Sequence, residues 1–405
     1  MKILVVNKFY YRKGGSEAYF LGLNDLLKEN NIEIVPFSMK DKKNIPSEYE
    51  KYFIENIDYS NMNMKTKLIN SMKMIYSFEA ERKIKKIVKD TKPQIAHLHI
   101  FQHQLSPSII HGLKKCNVKV VNTVHDLKVI CPNYKMLNKN GNCEECKGGK
   151  YYRCLSNSCV KGSKMNSAVS VIEAYVNKFI KSYSYVDKFI CPSKFYRDKF
   201  IEFGIPEEKV IYIPNFIDLN NFKPNYEYKN YFVYVGRLSE EKGIKTLIEA
   251  MQSIKGINLC IVGTGPLENE LKAIKDKLNL ENVEFLGFKT GNELKDIVSN
   301  SMFTVVPSEW YENCPMTVIE SMAYGKAVIG SDSGGIPELI RNNETGLIFK
   351  TGNKDDLIEK IQYLIENPEK TVQMGKNGRK IAEVEYNKEI HFKRIKKVYD
   401  ELLEK

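Results

Sequence analysis

Short apolar, β-branched runs alternate with helical stretches along the whole chain, and the runs are bounded by polar or glycine-containing turns. Runs of this kind predict buried strands. In the first half they are Lys2–Val6, Ile32–Phe37, Ile95–Leu98, Lys119–Thr123, Phe189–Cys191 and Val210–Ile213. In the second half they are Tyr231–Val235, Asn258–Val262, Val283–Leu286, Phe303–Val306, Ala327–Gly330 and Gly346–Ile348. Helices such as Ser16–Lys28, Glu79–Lys89, Ile244–Gln252 and Thr317–Ala323 fill the gaps. Strands alternating with helices predict parallel sheets with helical crossovers. The expected fold class is α/β, with two doubly wound, Rossmann-like domains facing each other across a cleft. Ligands of such sheets bind at the carboxyl ends of the strands.

At 405 residues and 42% hydrophobic content the chain can bury two cores. Pro214-Asn215-Phe216-Ile217-Asp218 and the polar stretch Leu219–Asn230 read as the linker. The expected domains are 1–215, with a cysteine-rich insert at 131–164, and 216–385. A final helical segment, 386–405, completes the chain. No apolar run approaches the roughly 20 residues that cross a bilayer. Met1–Asn7 reads as a first strand and not as a signal peptide. The expectation is therefore a cytoplasmic protein, whose nine cysteines serve as thiols or metal ligands more readily than as disulfides.

The net charge of +12 is unevenly divided: residues 1–215 hold 36 basic and 21 acidic residues, which leaves 26 and 29 for the remainder. Such asymmetry fits an N-terminal half that faces an anionic membrane leaflet or a phosphorylated acceptor, and equally fits lysines that only aid solubility. The basic, methionine-rich segment Lys65–Lys92, with Met62, Met64, Met72, Met74 and Phe78, can lie at a membrane interface or pack in the core.

The most specific stretch runs from Pro307 to Gly325. A strand ends at Val306, a loop carries Glu312, and a helix containing Glu320 starts near Pro315. Eight positions along a helix span at most about 12 Å, a separation suited to a ligand with hydroxyls at both ends. The amides of Asn313, Cys314, Met316 and Thr317 at that helix start can meet an anion or sugar oxygens. Upstream, Gly236-Arg237-Leu238-Ser239-Glu240-Glu241-Lys242-Gly243 sets two cations beyond another strand end, a fork and a point charge for phosphate. Gly263-Thr264-Gly265-Pro266 and Gly287-Phe288 close two further strand ends.

Together, Glu312-x7-Glu320, the Gly-Arg-Leu-x3-Lys-Gly element and the Gly-x-Gly-Pro turn resemble family-four retaining glycosyltransferases of the GT-B fold, in particular those that build bacterial polysaccharides. The resemblance extends to Gly14-Gly15-Ser16-Glu17 and to Pro214–Asp218. It implies that Arg237 and Lys242 hold the donor diphosphate, that Glu320 accepts hydrogen bonds from the ribose, and that Glu312 contacts the transferred sugar as a catalytic residue. It also implies that Gly263, Gly265 and Gly287 border the nucleoside. Many relatives have Glu-x-Phe-Gly where this chain has Glu312-Asn313-Cys314-Pro315, and the proline removes one backbone donor. Gly14 and Gly15 open a βα turn where amides approach the acceptor or the donor phosphates. His125, after the strand Lys119–Thr123, takes the place of a family histidine near the transferred sugar. His97 and His99 share one face of their strand, and His99 and His103 are expected on the acceptor wall. The C-terminal segment is expected to cross back onto the N-terminal domain.

The expected partners are a nucleotide-sugar donor, UDP-linked in preference to GDP-linked, a glycan or lipid-linked acceptor, and peripherally an anionic membrane; nucleic acid is not expected. Catalysis is expected to need no cofactor. Cys143-x2-Cys146 and Cys154-x4-Cys159 have the spacing of a structural zinc site; free thiols on a loop are the other reading. A nucleotide-sugar epimerase of the same fold and a non-enzymatic polyanion-binding protein are the alternative functions.

Overall fold

The computed structural model describes residues 1–56 and 64–404, without the side chains of 64–69. Met62 and the side chain of Met64 thus lie outside the described residues. The chain forms two compact units, Met1–Ile213 with Phe392–Lys405, and Pro214–His391.

Unit 1 begins with β1 (Lys2–Val6), α1 (Gly15–Glu29), β2 (Glu33–Phe37), α2 (Met64–Ile75) and α3 (Phe78–Thr91). It continues with β3 (Ile95–Leu98), α4 (Ser108–Lys115), β4 (Lys119–Thr123), the hairpin β5 (Leu137–Asn138) and β6 (Gly141–Asn142), and α5 (Tyr152–Ser156). It ends with α6 (Lys164–Phe179), β7 (Lys188–Cys191), α7 (Lys194–Glu202) and β8 (Val210–Tyr212). Its parallel sheet has the order β2-β1-β3-β4-β7-β8.

Unit 2 runs through β9 (Tyr231–Val235), α8 (Ile244–Ala250), β10 (Asn258–Val262), α9 (Glu268–Lys277), β11 (Val283–Gly287) and α10 (Gly291–Ser299). It continues through β12 (Phe303–Val306), α11 (Met316–Ala323), β13 (Ala327–Ser331), α12 (Ile336–Leu339), β14 (Gly346–Phe349), α13 (Lys354–Glu366) and α14 (Pro368–Glu385). Its parallel sheet is ordered β11-β10-β9-β12-β13-β14. The last helix, α15 (Lys388–Leu403), starts in unit 2 and enters unit 1 at Phe392.

Each strand expected from the apolar runs is present, with ends displaced by no more than one residue. The runs are continuous because both faces of the central strands are covered. In β9, Phe232 and Tyr234 join one core cluster while the intervening Val233 joins another. In β13, Ala327 and Ile329 join the first cluster while Val328 joins a third.

The order of each sheet fixes where its loops gather. In unit 2 the chain steps from β9 outward to β11, then returns to place β12 on the other side of β9. In unit 1 the same reversal separates β1 from β3. At such a switch point the loops leaving the two central strands diverge and open a crevice.

The linker expectation needs correction. Pro214 to Asn230 belongs to unit 2 and is pinned along it. Phe216 and Ile217 are buried, the Asn215 side chain donates to the Cys314 carbonyl at 3.0 Å, and the Ile217 amide donates to Tyr386. Farther on, the Asn225 amide donates to the Tyr324 carbonyl, and Lys326 reaches the Glu227 carbonyl at 2.9 Å. The stretch lacks strand pattern because its backbone is satisfied by loops and helix ends, not by a ladder.

Candidate functional site

Glu312 lies in the loop between β12 and α11, beside the switch point of unit 2, and its side chain is buried. Lys242 Nζ meets Glu312 Oε1 at 2.6 Å, and Ser308 Oγ donates to the same oxygen at 2.6 Å. Burial pushes the carboxyl up. The Lys242 ammonium and hydrogen bonds from Lys242, Ser308 and Trp310 outweigh it, so Glu312 sits below its ordinary value and is anionic at neutral pH. The Lys242 ammonium also lies 5.3 Å from the Trp310 ring centroid.

Close backbone packing aligns this pair. Gly243 has φ +65°, and a Cβ there would lie 1.9 Å from the Pro307 carbonyl oxygen. The Glu309 amide donates to the Glu241 carbonyl, and Thr246 Oγ1 donates to Glu309 at 2.5 Å. The loop after β9 is thereby locked to the loop after β12. A third loop, after β13, clamps the second: Ser331 Oγ donates to the Ser308 carbonyl at 2.6 Å, and Ser333 Oγ to the Trp310 carbonyl at 2.6 Å. The Gly335 amide donates to the Glu312 carbonyl. Ser308, Trp310, Ser333 and Gly334-Gly335 were not among the sequence candidates. The signal for the last pair was present, since Gly334-Gly335 follows a predicted strand and precedes a helix, as the other rim glycines do.

Arg237 is exposed on the same loop as Lys242, and among the described residues it makes no ion pair. Gly263 and Gly265 lie against that loop. A Cβ on Gly263, at φ +133°, would lie 1.9 Å from the Gly236 carbonyl oxygen, and one on Gly265 would lie 2.2 Å from that of Leu238. Loop-to-loop packing therefore already requires glycine at both positions. Gly287, at φ +70°, has open space around it. Pro315 is the N-cap of α11 and so precedes its first turn, which leaves the Met316 and Thr317 amides as the first helical donors. Asn313 is half-buried and Cys314 buried in the preceding loop, and Glu320 is half-exposed on α11.

In unit 1, the α1 helix starts one residue earlier than expected, with Gly14 as its N-cap and no side-chain cap from Ser16, which instead bonds Glu17 at 3.2 Å. A Cβ on Gly15 would meet nothing within 4 Å. The helix start is open to close approach, but neither glycine is needed for backbone strain.

The histidines form a stack across the strand ends. His97 and His99 rings lie 4.5 Å apart, and His99 Nδ1 and His125 Nε2 are 3.1 Å apart. His97 is anchored by the Tyr399 hydroxyl at 2.6 Å and by Thr123 Oγ1 at 2.7 Å, and Tyr19 packs edge-on against His125. Burial pushes His99 well below its ordinary value and His125 down to about 4, so both imidazoles are neutral at pH 7. His103 stays outside this stack, in the loop after β3 at φ +71°, near Lys128 and Lys8. Burial holds it too below its usual range.

The cysteine loop packs Cys146, Cys154 and Val171 into a small cluster, with Cys159 against it. The Cys154 and Cys159 thiols are hydrogen-bonded to each other. Among the described residues no group of three or more His, Cys, Asp or Glu is gathered closely enough to hold a metal ion.

A buried carboxylate held by a cation at a parallel-sheet switch point, with a second, exposed cation on the same loop, has the chemistry to meet phosphate and hydroxyl groups. The family models place the chain. Residues 13–221 match the model for Glycosyltransferase Family 4, and residues 217–381 that for Glycosyl transferases group 1. The chain belongs to glycosyltransferase family 4.

An uncharacterized glycosyltransferase of Methanocaldococcus jannaschii is 32% identical over 53% of this chain and 60% of its own length. The N,N'-diacetylbacillosaminyl-diphospho-undecaprenol α-1,3-N-acetylgalactosaminyltransferase of Campylobacter jejuni is 29% identical over 58% of this chain and 66% of its own. The chain thus spans less than two thirds of the length of these relatives. Among solved structures, sucrose-phosphate synthase of Thermosynechococcus elongatus superposes with a TM-score of 0.75 at 21% identity, covering 99% of this chain and 98% of that one. Anabaena HepE in complex with UDP-glucose superposes with a TM-score of 0.67 at 17% identity, covering 99% and 100%. These likenesses show the GT-B fold.

Proposed function

We propose that this chain is a retaining glycosyltransferase that moves a hexose-type sugar from a nucleotide-sugar donor to a polysaccharide or lipid-linked glycan acceptor. The observation that carries this reading is the buried Glu312 carboxylate, held by Lys242 and Ser308 at the switch point of unit 2. Family membership supports it, as do the UDP-glucose in the HepE complex and the diphospho-undecaprenol acceptor of the Campylobacter relative. On the same grounds a UDP-sugar is preferred to a GDP-sugar.

Departure of a nucleoside diphosphate leaves negative charge that Arg237, Lys242 and the Met316 and Thr317 amides offset; preorganised donors of this kind contribute several kcal/mol. Lys242 has three N–H groups, so bonding Glu312 leaves donors for phosphate. Glu312 is thereby fixed as an anion that accepts from hydroxyls of the transferred sugar, and Glu320 accepts from the ribose. Neutral His125 exchanges hydrogen bonds with a substrate hydroxyl and carries no charge of its own. The acceptor hydroxyl attacks the same face of the sugar that the phosphate leaves, and the departing phosphate takes its proton. Gly14, Gly15, His99 and His103 belong to the acceptor side. The protein works in the cytoplasm, at the inner membrane face. A structural zinc at Cys143, Cys146, Cys154 and Cys159 is proposed on spacing alone, and its absence from elemental analysis of purified protein would remove it.

The test is a thermal-shift screen with UDP-, GDP-, ADP- and dTDP-sugars, followed by product analysis. Stabilisation by one nucleotide class, weakened about tenfold in apparent affinity by Glu320→Ala, together with transfer to an acceptor, is the expected result. Conversion of the donor to an isomer with its diphosphate bond intact would identify an epimerase instead. No shift with any nucleotide sugar would overturn the donor site.

A further inference from the structure

Helix α6 has its polarity reversed. Its inward face consists of Ser167, Ser170, Val171, Glu173 and Asn177, all buried. Several of these polar groups have partners inside the unit: Glu173 is ion-paired with buried Lys128 at 2.7 Å, Asn177 accepts from Ser182 at 2.7 Å, and Ser167 accepts from the Val160 amide at 3.0 Å. Its outward face carries Met165, Ile172, Tyr175 and Phe179, which fall on one side at 3.6 residues per turn. They are 67%, 52%, 39% and 87% exposed. An ordinary surface helix turns such residues inward. Neighbouring elements extend the surface, since α2 and α5 pack against α6, and Met72 of α2 together with Tyr152 and Leu155 of the α5 helix is exposed.

The charge along α5, α6 and the turn between them is predominantly basic, with exposed Glu145 bonded to Asn157 at the end of α5 and Glu202 paired with Lys147 at its edge. Between residues 147 and 181 the chain has seven basic residues and a single acidic one, Glu173, which is buried in its pair with Lys128. Lys150, Arg153, Lys161, Lys164, Lys178 and Lys181 are all exposed. An apolar helix face rimmed by cations matches the boundary between acyl chains and anionic headgroups, where apolar burial and headgroup attraction act together. A protein partner of ordinary composition would instead be expected to meet a rim of mixed sign.

We infer that the outward face of α6, with its basic rim, is a docking surface for a bilayer bearing anionic lipids. The surface centres on α6 and α5, and of the lysine-rich segment read from the sequence it includes exposed Met72 on α2. The inference does not rest on the transfer reaction, because docking needs neither donor nor acceptor.

The test is co-sedimentation of the full chain with vesicles of phosphatidylcholine, with and without phosphatidylglycerol, in the absence of substrates. Binding to the phosphatidylglycerol vesicles at low salt is expected, with loss at high salt. Ile172→Asn with Phe179→Ser should lower the bound fraction about tenfold with an unchanged thermal midpoint. Should that pair fail to fold, Phe179→Ser alone keeps the test, since its ring touches little. Lys164→Glu with Lys178→Glu and Lys181→Glu should remove the preference for phosphatidylglycerol. A wild-type chain that stays in the supernatant at low salt overturns the inference, as does an apolar double variant that pellets like wild type. A dimer in sedimentation velocity that the double variant splits would also overturn it, by assigning the face to a second copy.

Discussion

Lys242 and Glu312 show how one residue decides the state of another. Glu312 is buried, and its carboxylate is held below its ordinary value because Lys242, Ser308 and Trp310 reach it. Lys242→Met should therefore leave a buried, uncompensated carboxylate and cost about 2–4 kcal/mol, read as a fall in denaturant midpoint. Glu312→Gln removes both the buried charge and its partner's need, and should be milder for stability while suppressing turnover about a hundredfold. The histidines give a pH dependence. His125 has a folded value of about 4 and an ordinary one of 6.5, so the unfolded chain binds its proton first as pH falls. Stability should decline between pH 6.5 and about 4 by up to a few kcal/mol. His125→Asn should flatten part of that decline in a thermal series over pH; an unchanged slope would contradict the burial of the imidazole. His99, His103 and His111, which burial also lowers, contribute to the residual slope, as do carboxylates held low by cations, such as Glu312.

At the scale of elements, the glycines at the strand ends separate into two kinds. Gly263→Ala puts a Cβ against a backbone carbonyl that side-chain movement cannot relieve, and should cost at least about 2 kcal/mol. Gly287→Ala meets open space and only the left-handed backbone penalty, about 1 kcal/mol. Equal costs in a chemical-denaturation series would refute the loop-packing account. Helix α15 supplies buried Ile395, Val398, Tyr399 and Leu402 to unit 1, and the Tyr399 hydroxyl anchors His97. Truncation after His391 removes apolar groups worth roughly 1.5–3 kcal/mol each. It should destabilise unit 1 beyond rescue, seen as loss of soluble protein or of its cooperative transition. Tyr399→Phe, which keeps the ring, should cost only about 1 kcal/mol.

For the whole molecule, two units with separate cores should respond separately to ligand. A nucleotide that binds at the Lys242–Glu312 site stabilises the folded form of unit 2 by mass action. Calorimetry with a matching UDP-sugar should thus raise the transition of unit 2 more than that of unit 1, and Glu320→Ala should reduce the shift. The two units also differ in charge, the basic excess lying wholly before residue 216. Any salt-sensitive association of the chain should therefore map to unit 1.

Much of this molecule was legible in the sequence. The parallel strands were, because buried strands read as unbroken apolar runs whatever surrounds them. The positions of Glu312, Arg237, Lys242 and the glycine turns in loops at strand ends were, because their spacing from the strands is local. The sequence could not show that Lys242 and Glu312 meet, since 70 residues separate them and only the strand order brings β9 beside β12. Nor could it show that His97, His99 and His125 form one stack in which His99 and His125 are neutral, because burial, which sets the charge of those two, is a property of the packed unit. The stretch after Pro214 read as a linker because its hydrogen bonds go to distant loops. The reversed face of α6 is not legible in the sequence, since periodicity reveals that a helix has two faces, and only tertiary packing decides which one is turned to water.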